Sequence, residues 1–338
     1  MDILIDYSLQ KLNTFGLNVT AKYFIQLNSV EQIVELIKSK IFQEEEHLII
    51  GDGSNLLFTK DFNGLVIKVA IGGIHVVKED KTSFFVKAGA GVEWHNLVNS
   101  CVRANFGGIE NLSLIPGTVG AAPIQNIGAY GVELKDTMEA LEAIELQTGK
   151  KRYFLNRECN FGYRDSIFKN ELKDKFIITN VVFRLSKLPI LNTQYGKIQE
   201  VLNTLDKKEL TIQDVSNAII KIREEKLPDP KKIGNAGSFF KNPVIPVELF
   251  NALKKSYSDI PGFDQPGNDV KIPAAWLIEK CNFKGMTHKG AAVHSNQPLV
   301  LINKGNASGH DILELSKLIQ HKIKNEFGIS LETEVRII

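Results

Sequence analysis

The glycine-rich segment 104–134 constrains the fold of this chain more than any other feature of its sequence. It holds six of the 26 glycines, where an even spread predicts about 2.4. Only two of its residues, Glu110 and Glu133, are charged. Glycine lets the backbone approach a ligand closely, and successive N–H groups can converge on an anion without cationic side chains. We interpret this segment as a phosphate-cradling loop; the alternative is a packed crossover of Gly, Ala and Pro.

A second glycine-rich turn, GDGSN at 51–55, follows the apolar pattern HLII. It lacks the third glycine of G-x-G-x-x-G, and the following NLLFTKDFNG has no helical periodicity, so the Rossmann fingerprint is excluded. Taken alone, the segment is a turn after a strand. Together with segment 104–134, it predicts a dinucleotide held by two glycine-rich loops in a different fold.

The hydrophobic pattern of the whole chain predicts a mixture of strands and helices. Strands are predicted at 23–28, 47–50, 65–70, 74–78, 84–90, 141–147, 151–155, 176–186, 298–303 and 331–338. Helices are predicted from Ser29, with a capping box to Gln32, to about Lys40, at 93–105, over most of 195–226, at about 273–281, and from about Gly309 to a C-cap at Gly328. In the last strand, Leu331, Val335 and Ile337 are expected on one face and Glu332, Glu334 and Arg336 on the other.

Composition and charge exclude several classes of protein. The net charge is +2, and 43% of the residues are hydrophobic and 24% charged, which is ordinary for a globular protein and not for a disordered chain or a strongly basic nucleic-acid binder. Cys101, Cys159 and Cys281 show no disulfide or zinc spacing, which favours a reducing cytoplasm. His288 and His294 lack metal-ligand spacing, so no metal site is expected. The sequence shows no secretory signal and no membrane-spanning run.

Two further segments group residues with chemical potential. GNAGSFFKNP places Ser238 between small residues and an aromatic pair, where its hydroxyl could donate a proton or contact a ligand, although a lone serine in a turn is usually structural. YRDSIFK contains Arg164, whose guanidinium fork suits a carboxylate or a phosphate. For that segment a solvated charged turn is the default interpretation.

Seven motifs follow one another along the chain from about residue 13 to the end: GDGSN, PGTVGAAPIQNIGAYGVEL, YRDSIFK, KLPDP, GNAGSFFKNP, GAAVHSNQPLVLIN and LETEVRII. Taken together, these motifs resemble the UDP-N-acetylenolpyruvoylglucosamine reductase family, the flavoenzymes of peptidoglycan precursor synthesis. Segment 187–225, with Tyr195 in NTQYG, looks like the family's form with an extra tyrosine-bearing loop. The sequence departs from the family at Thr118 and Ala121, where Cys or Ser is often seen.

The resemblance implies an α+β fold, with a vanillyl-alcohol-oxidase-type (PCMH) FAD-binding region of two α/β subdomains and a C-terminal substrate-binding domain. The implied boundaries are 1–70, 71–205 (the second subdomain with the substrate-capping loop) and 206–338. It also implies non-covalent FAD, NADPH as co-substrate, and an oxidoreductase acting on a CH–CH bond. The reaction would reduce UDP-N-acetylglucosamine enolpyruvate to UDP-N-acetylmuramate, with hydride passing from flavin N5 to the terminal enolpyruvyl carbon and Ser238 protonating the adjacent carbanion.

Carried over residue by residue, the resemblance implies the following site. The catalytic residues are Arg164, Ser238 and Glu334. The substrate-binding residues are Tyr195, Lys226, Asn242 and Gln297. The cofactor-binding residues are Gly51, Gly53, Ser54, Asn55, Pro116, Gly117, Thr118, Gly120, Ala121, Gln125, Asn126, Gly128, Ala129 and Tyr130. Strand alternation cannot choose between Glu334 and Glu332, which share a face.

The residue types also make chemical sense for this reaction. Hydride addition leaves negative charge beside a carboxylate, and the charge of an arginine, which does not titrate, can offset it. We expect a cytoplasmic monomer with no nucleic-acid or membrane partner. One rival is another FAD oxidoreductase of the same fold that acts on an alcohol or lactone, and the other is a non-catalytic nucleotide-sugar binder.

Overall fold

The computed structural model describes residues 2–338. The strands in these residues are β1 (Leu4–Ser8), β2 (Thr20–Leu27), β3 (His47–Ile50), β4 (Leu56–Leu57), β5 (Phe62–Val69), β6 (Ile74–Glu79), β7 (Ser83–Gly89), β8 (Gly128–Ala129), β9 (Val132–Glu133), β10 (Met138–Glu145), β11 (Lys151–Leu155), β12 (Phe176–Ser186), β13 (Gly234–Ser238), β14 (Val244–Pro246), β15 (Phe263–Gln265), β16 (Asp269–Lys271), β17 (Thr287–His288), β18 (Ala291–Val293), β19 (Val300–Asn303) and β20 (Arg336–Ile337). The helices are α1 (Val30–Ile37), α2 (Lys40–Glu44), α3 (Trp94–Arg103), α4 (Ile198–Leu202), α5 (Ile212–Lys226), α6 (Val247–Ser256), α7 (Ala274–Lys280) and α8 (Gly309–Phe327).

The chain divides into two compact units, each assembled from separate segments. The first unit contains residues 2–7, 21–52 and 63–225, and the second contains 8–20, 53–62 and 226–338. Two short N-terminal segments therefore belong to the same unit as the C-terminal third of the chain. The sequence predicts three parts, with boundaries after residues 70 and 205. The two-unit division does not test these boundaries, so they stay a prediction.

One sheet of the first unit has the strand order β1-β2-β5-β3, in which β3 and β5 are parallel. Helix α1 buries Ile33 and Leu36 in the same core as Leu27 of β2. Ser29 begins the helix as predicted, because its Oγ accepts the N–H of Gln32 at 3.3 Å. The helix ends at Ile37 rather than near Lys40, because Ser39 caps the separate short helix α2.

The other large sheet of the first unit is antiparallel, with the order β11-β10-β12-β7-β6. Its long central strand β12 and its edge strand β11 have the bounds that the sequence predicts. Helix α3 buries Trp94, Leu97 and Val98 in the core of this sheet. Trp94 meets Phe183 of β12 edge to face, with ring centroids 5.8 Å apart. This packing fixes the start of α3, which carries part of the candidate site.

The prediction of helix over most of 195–226 is confirmed only in part. Residues 203–211 are not helical and separate α4 from α5. Asp214 explains the break, because its Oδ2 accepts the N–H of Thr211 at 3.0 Å and so starts a new helix there. A carboxylate that accepts a backbone N–H just before a helix satisfies a donor that the helix itself cannot pair.

The second unit contains the four-stranded sheet β13-β19-β18-β17 and the three-stranded sheet β14-β16-β15. Helix α8 has a capping box between Ser308 and Asp311 and ends at Gly328 with φ +71°, which confirms the predicted C-cap. The apolar stripe expected on this helix is buried, namely Ile312, Leu315, Ile319, Ile323 and Phe327.

The last segment of the chain is less regular than predicted. Only Arg336–Ile337 forms a strand, parallel to Leu56–Leu57, while Thr333 forms an isolated bridge with Phe240. Because the segment changes partners midway, its strict alternation is lost. Leu331 and Val335 are buried whereas Ile337 is 38% exposed, so the three residues expected on one face do not share one environment.

Three observations on the described residues bear on the class of protein. None of the helices in residues 2–338 combines the length and apolar character needed to cross a bilayer. No cluster of three or more His, Cys, Asp or Glu side chains in this range could hold a metal ion. Cys101, Cys159 and Cys281 are free thiols.

Candidate functional site

Gly51, the first residue of the 51–55 turn, meets the other glycine-rich loop within the first unit. Gly51 directly follows β3, and a Cβ added to it would lie 2.3 Å from Thr118 Oγ1. Only a residue without a side chain fits there, so the backbone at Gly51 lies against Thr118 of loop 116–121. The predicted pairing of the two loops is therefore present in the structure at Gly51 and Thr118.

Loop 116–121 is bonded through its backbone to the end of β7 and the start of α3. Gly120 N–H donates to Ala90 O at 2.8 Å, and Trp94 N–H donates to Gly117 O at 2.9 Å. A Cβ on Gly120 would lie 2.5 Å from Ala90 Cβ, and Gly117 has a φ of +108°. Both glycines are thus required by geometry, and the loop's course is set by the sheet and helix beneath it.

A two-stranded hairpin, β8–β9, follows this loop and carries more of the predicted cofactor residues. Tyr130 and Gly131 form its turn, with φ values of +51° and +80°. Asn126, just before the hairpin, is fully buried, and its Nδ2 donates to Glu133 Oε2 at 2.9 Å and to Gly162 O at 3.0 Å. The Asn126 side chain therefore holds the hairpin in place. Its predicted cofactor contact stays a prediction.

Arg164 lies against this hairpin. Its Nη2 donates to Gly128 O at 2.8 Å, and its guanidinium lies 5.4 Å from the ring centroid of Tyr163. Its backbone has a φ of +54°, which is uncommon for a residue with a side chain. Lys169 Nζ, from the same YRDSIFK segment, donates to Arg164 O at 3.0 Å. The structure thus brings the predicted cation together with the predicted cofactor segment.

Tyr195, the predicted capping residue, also lies beside the hairpin. Its ring meets that of Tyr130 edge to face, with centroids 6.3 Å apart, and it is 57% exposed. Asn192, nearby in the same loop, accepts through its backbone oxygen from Asn111 Nδ2 at 2.9 Å. The loop is therefore tied down close to a tyrosine whose own ring remains accessible.

Arg223 of α5 belongs to this site, and the sequence reasoning missed it. Burial lowers the pKa of its guanidinium, and the nearby Tyr130 opposes this shift. Its Nε is buried and has no hydrogen-bond partner among residues 2–338. One signal was available, since Arg223 lies four residues after Ile219 on the buried face of α5. An arginine on an apolar helical face needs a partner.

In the second unit, Ser238 and Glu334 lie on adjacent antiparallel segments. Glu334 N–H donates to Phe239 O at 2.8 Å, and Phe240 bridges to Thr333. Ser238 ends β13, where the pairing with β19 shifts register, and the preceding Gly237 has a φ of +70°. The buried rings of Phe239 and the following phenylalanine anchor this crossing.

Glu332 and Glu334, which alternation could not separate, differ in the structure. Glu332 Oε1 pairs with Lys241 Nζ at 2.5 Å, and its side chain is 69% exposed. Glu334 is half-buried, and its backbone oxygen accepts from Asn55 Nδ2 at 3.1 Å. The structure thus places the Glu332 side chain in an exposed ion pair, and the choice of Glu334 stays a prediction.

The remaining predicted residues of the second unit are held as follows. A Cβ on Gly53 would lie 1.9 Å from Leu12 O, so packing alone requires this glycine. Asn242 Oδ1 accepts the N–H of Ala274 at 2.9 Å and thereby caps α7, which leaves its amide N–H groups to donate elsewhere. Gln297 is buried in the turn before β19, and Lys226 is exposed. Ser54 is half-buried.

The other predicted cofactor residues, all in the first unit, lie in loop 116–121 or next to it. Pro116 and Ala121 are exposed, while Gln125 and Ala129 are half-buried. The whole set offers backbone N–H groups and the half-buried cation Arg223, whose Nε is buried. This combination can hold a large ligand that carries phosphates, because backbone donors bind anions and a buried N–H donor requires an acceptor.

Comparison with known proteins supports this interpretation at the level of the whole chain. A family model described as UDP-N-acetylenolpyruvoylglucosamine reductase, C-terminal domain, matches residues 229–338, and one described as FAD binding domain matches residues 21–152. The chain is 47% identical to UDP-N-acetylenolpyruvoylglucosamine reductase of Flavobacterium johnsoniae, and 47% identical to that of Amoebophilus asiaticus. In both comparisons the alignment covers 100% of each protein.

A solved structure shares the fold. UDP-N-acetylenolpyruvylglucosamine reductase from Thermus caldophilus superposes with a TM-score of 0.69 at 23% identity, covering 99% of this chain and 98% of that chain. This likeness agrees with the predicted α+β fold class.

The contact between Gly51 and Thr118 can be tested by a double-mutant cycle. Gly51→Ala places a methyl group 2.3 Å from Thr118 Oγ1, and we expect it to cost about 1–3 kcal/mol of unfolding free energy. Thr118→Ala removes the clashing hydroxyl, so the double variant should be more stable than the sum of the single losses by at least ~0.5 kcal/mol. Denaturant unfolding measures all four proteins. Gly72→Ala is the control, because nothing lies within 4 Å of its added Cβ; strictly additive losses would contradict the contact.

Proposed function

The chain belongs to the UDP-N-acetylenolpyruvoylglucosamine reductase family, and on that premise we propose that it reduces UDP-N-acetylglucosamine enolpyruvate to UDP-N-acetylmuramate in peptidoglycan precursor synthesis. The observation that carries the proposal is the 47% identity to a reductase of this name over the full length of both proteins. The family predicted from the motifs is thereby confirmed. The enzyme is an FAD-containing oxidoreductase, with NADPH as the reductant.

The first unit has the features that an FAD site needs. The match to the FAD binding domain spans residues 21–152 and includes both glycine-rich loops. Gly51 and Thr118 would contact the cofactor through their backbone, and the orphaned Nε of Arg223 is a buried donor without an acceptor. When bound, FAD would supply the hydride for the enolpyruvyl double bond, with NADPH as the reductant.

We assign Arg164 to the carboxylate of the enolpyruvyl group. Negative charge builds on that carboxylate when hydride adds to the neighbouring double bond, and a preorganised cation lowers the energy of this state. Two observations support the assignment, namely the bond from Arg164 to Gly128 O and the left-handed backbone of Arg164. A strained backbone at a charged residue is typical of functional positions.

Ser238 is the proposed proton donor. The carbon next to the carboxylate must gain a proton after hydride addition, and that carbanion is basic enough to take one from a hydroxyl group. Ser238 follows a left-handed glycine at the end of β13 and is half-buried. The resulting serine alkoxide recovers its proton from solvent, which restores the enzyme.

Glu334 is assigned to orient or polarise the same group, and Tyr195, Lys226, Asn242 and Gln297 to bind the UDP-sugar. The ammonium of Lys226 suits a diphosphate. Asn242 keeps both amide N–H groups for a ligand while its oxygen caps α7. The predictions of a monomer and of a cytoplasmic location stay proposals.

The two half-reactions test the function directly. We expect purified protein to be yellow, its flavin to bleach when NADPH is added without oxygen, and its absorbance to return when UDP-N-acetylglucosamine enolpyruvate follows. Anaerobic stopped-flow absorbance measures both steps. UDP-N-acetylglucosamine, which lacks the double bond, is the control and should not reoxidise the flavin. A folded, colourless protein that takes up no FAD would overturn the proposal.

Ser238→Ala should separate the half-reactions. The proton is needed only after hydride reaches the substrate, so we expect flavin reduction by NADPH at the wild-type rate and reoxidation slowed by about 10²–10⁴-fold. Ser295→Ala, at an exposed serine of the same unit, is the control for a nonspecific effect. An equal loss in both half-reactions would exclude Ser238 as the acid.

A matched pair of variants tests the choice between the two glutamates. Glu334→Gln should slow flavin reoxidation by at least about tenfold, because it removes charge next to the reacting group. Glu332→Gln breaks an exposed pair with Lys241, which is worth roughly 0–1 kcal/mol, and should leave the rate within a factor of two or so. Stopped-flow rates of the two variants decide the assignment. The reverse outcome would move the role to Glu332.

A further inference from the structure

Leu114 has an unusual backbone just before loop 116–121. Its φ is +58°, in the left-handed region that costs a branched, apolar residue energy. Unlike glycine or asparagine, leucine has no intrinsic preference for this conformation. The surrounding structure must therefore hold it there, and the groups that do so control how the chain enters the cofactor loop.

Two neighbouring side chains from the first turn of α3 hold this segment. Trp94 Nε1–H donates to Leu112 O at 2.9 Å, and Leu114 N–H donates to His95 Nδ1 at 2.9 Å. Between these two contacts, Ser113 Oγ donates to Glu110 O at 2.7 Å. The indole fixes one side of the turn and the imidazole the other.

The bond to His95 sets the tautomer of the imidazole. An imidazole nitrogen that accepts an N–H must carry a lone pair, so the ring proton of neutral His95 is on Nε2. A protonated ring would instead present an N–H at Nδ1 to the N–H of Leu114. Two donors would then face each other, and the bond would be lost.

The same turn of α3 also fixes loop 116–121. Trp94 N–H donates to the carbonyl oxygen of Gly117 at 2.9 Å. Gly117 lies only three residues after Leu114. We propose that His95 is a positioning residue for the cofactor: its neutral imidazole holds Leu114 in the left-handed conformation and thereby sets the course of loop 116–121. The identity of the cofactor in this inference rests on the proposed function. The role of the hydrogen bond between Leu114 and His95 does not.

The surroundings of His95 keep it neutral at physiological pH. Burial lowers the pKa of its imidazole below the ordinary 6.5, the cation of Arg223 on α5 lowers it further, and Glu93 at the start of α3 opposes them. Glu110, on the turn that His95 supports, accepts the N–H of Gly108 at 2.6 Å. A lowered histidine pKa contributes stability that is complete above pH 6.5 and is lost as the pH falls toward the folded-state pKa.

Two amide substitutions distinguish the Nδ1 contact from a merely structural role. His95→Asn places an amide oxygen near the position of Nδ1, so it can accept the N–H of Leu114 at any pH. His95→Gln carries its amide one methylene further out, near Nε2, and leaves Leu114 N–H without its acceptor. His321→Gln, at an exposed histidine of α8, is the control for histidine titration elsewhere.

The first measurement is amide hydrogen exchange of Leu114 in FAD-free protein at pH 7.5. We expect wild type and His95→Asn to protect this amide equally, and His95→Gln to exchange about tenfold faster, as the loss of one buried hydrogen bond implies. This readout needs neither FAD nor activity. It therefore remains decisive if the protein turns out not to bind FAD, an outcome that would overturn the proposed function alone.

The second measurement is the dissociation constant of FAD between pH 8 and pH 5.5, by flavin fluorescence. We expect wild type and His321→Gln to bind more weakly as the pH falls through the pKa of His95, and His95→Asn to lose this dependence while keeping its affinity at pH 8. His95→Gln should bind about tenfold more weakly at pH 8. The proposal is wrong if FAD binding by His95→Asn keeps the wild-type pH dependence. It is also wrong if the Leu114 amide of His95→Asn exchanges as fast as that of His95→Gln. Should His95→Gln fail to fold, the pH profile of FAD binding by His95→Asn decides alone.

Discussion

The close approach of Gly51 to Thr118 is the contact on which the candidate cofactor site depends. A strand of one sheet ends just before this glycine, and the threonine belongs to a loop bonded to the end of a strand of another sheet and to the start of a helix. A single methyl group would separate them. The two segments approach each other through a glycine backbone. Backbone N–H groups, rather than lysine side chains, are therefore the donors available to bind a phosphate. This explains how a segment with two charged residues, both acidic, can serve an anionic ligand.

Two arginines that are well separated in the sequence bring positive charge to the candidate site of the first unit, and the fold holds them differently. Arg164 is held against the hairpin by Gly128 O, with its backbone in a left-handed conformation. Arg223 is half-buried near Tyr130, and its buried Nε has no hydrogen-bond partner among residues 2–338. A buried donor without an acceptor is costly in a folded protein. Its persistence is most simply explained by a ligand that completes its hydrogen bonds.

Much of the local structure could be predicted from the sequence, because short-range signals dominate where an element packs on one face. The bounds of β11 and β12, the Ser29 cap and the Gly328 C-cap agree with prediction. Prediction was less successful where a tertiary contact competes with periodicity. The terminal segment changes strand partners, which exposes Ile337, and Asp214 starts a helix inside a segment predicted to be largely helical.

For the site, the sequence by itself determined which residue types are present and which short segments they occupy: two glycine-rich loops, an arginine in YRDSIFK, and a serine before two phenylalanines. Only the tertiary structure decided which of them meet. It brought Gly51 to Thr118, placed Ser238 beside the segment of Glu334, paired Glu332 with Lys241, and brought Arg223 near Tyr130. The physical reason is that period and turn chemistry act over a few residues, whereas these contacts join residues from 67 to 96 positions apart, whose approach is set by sheet register and core packing.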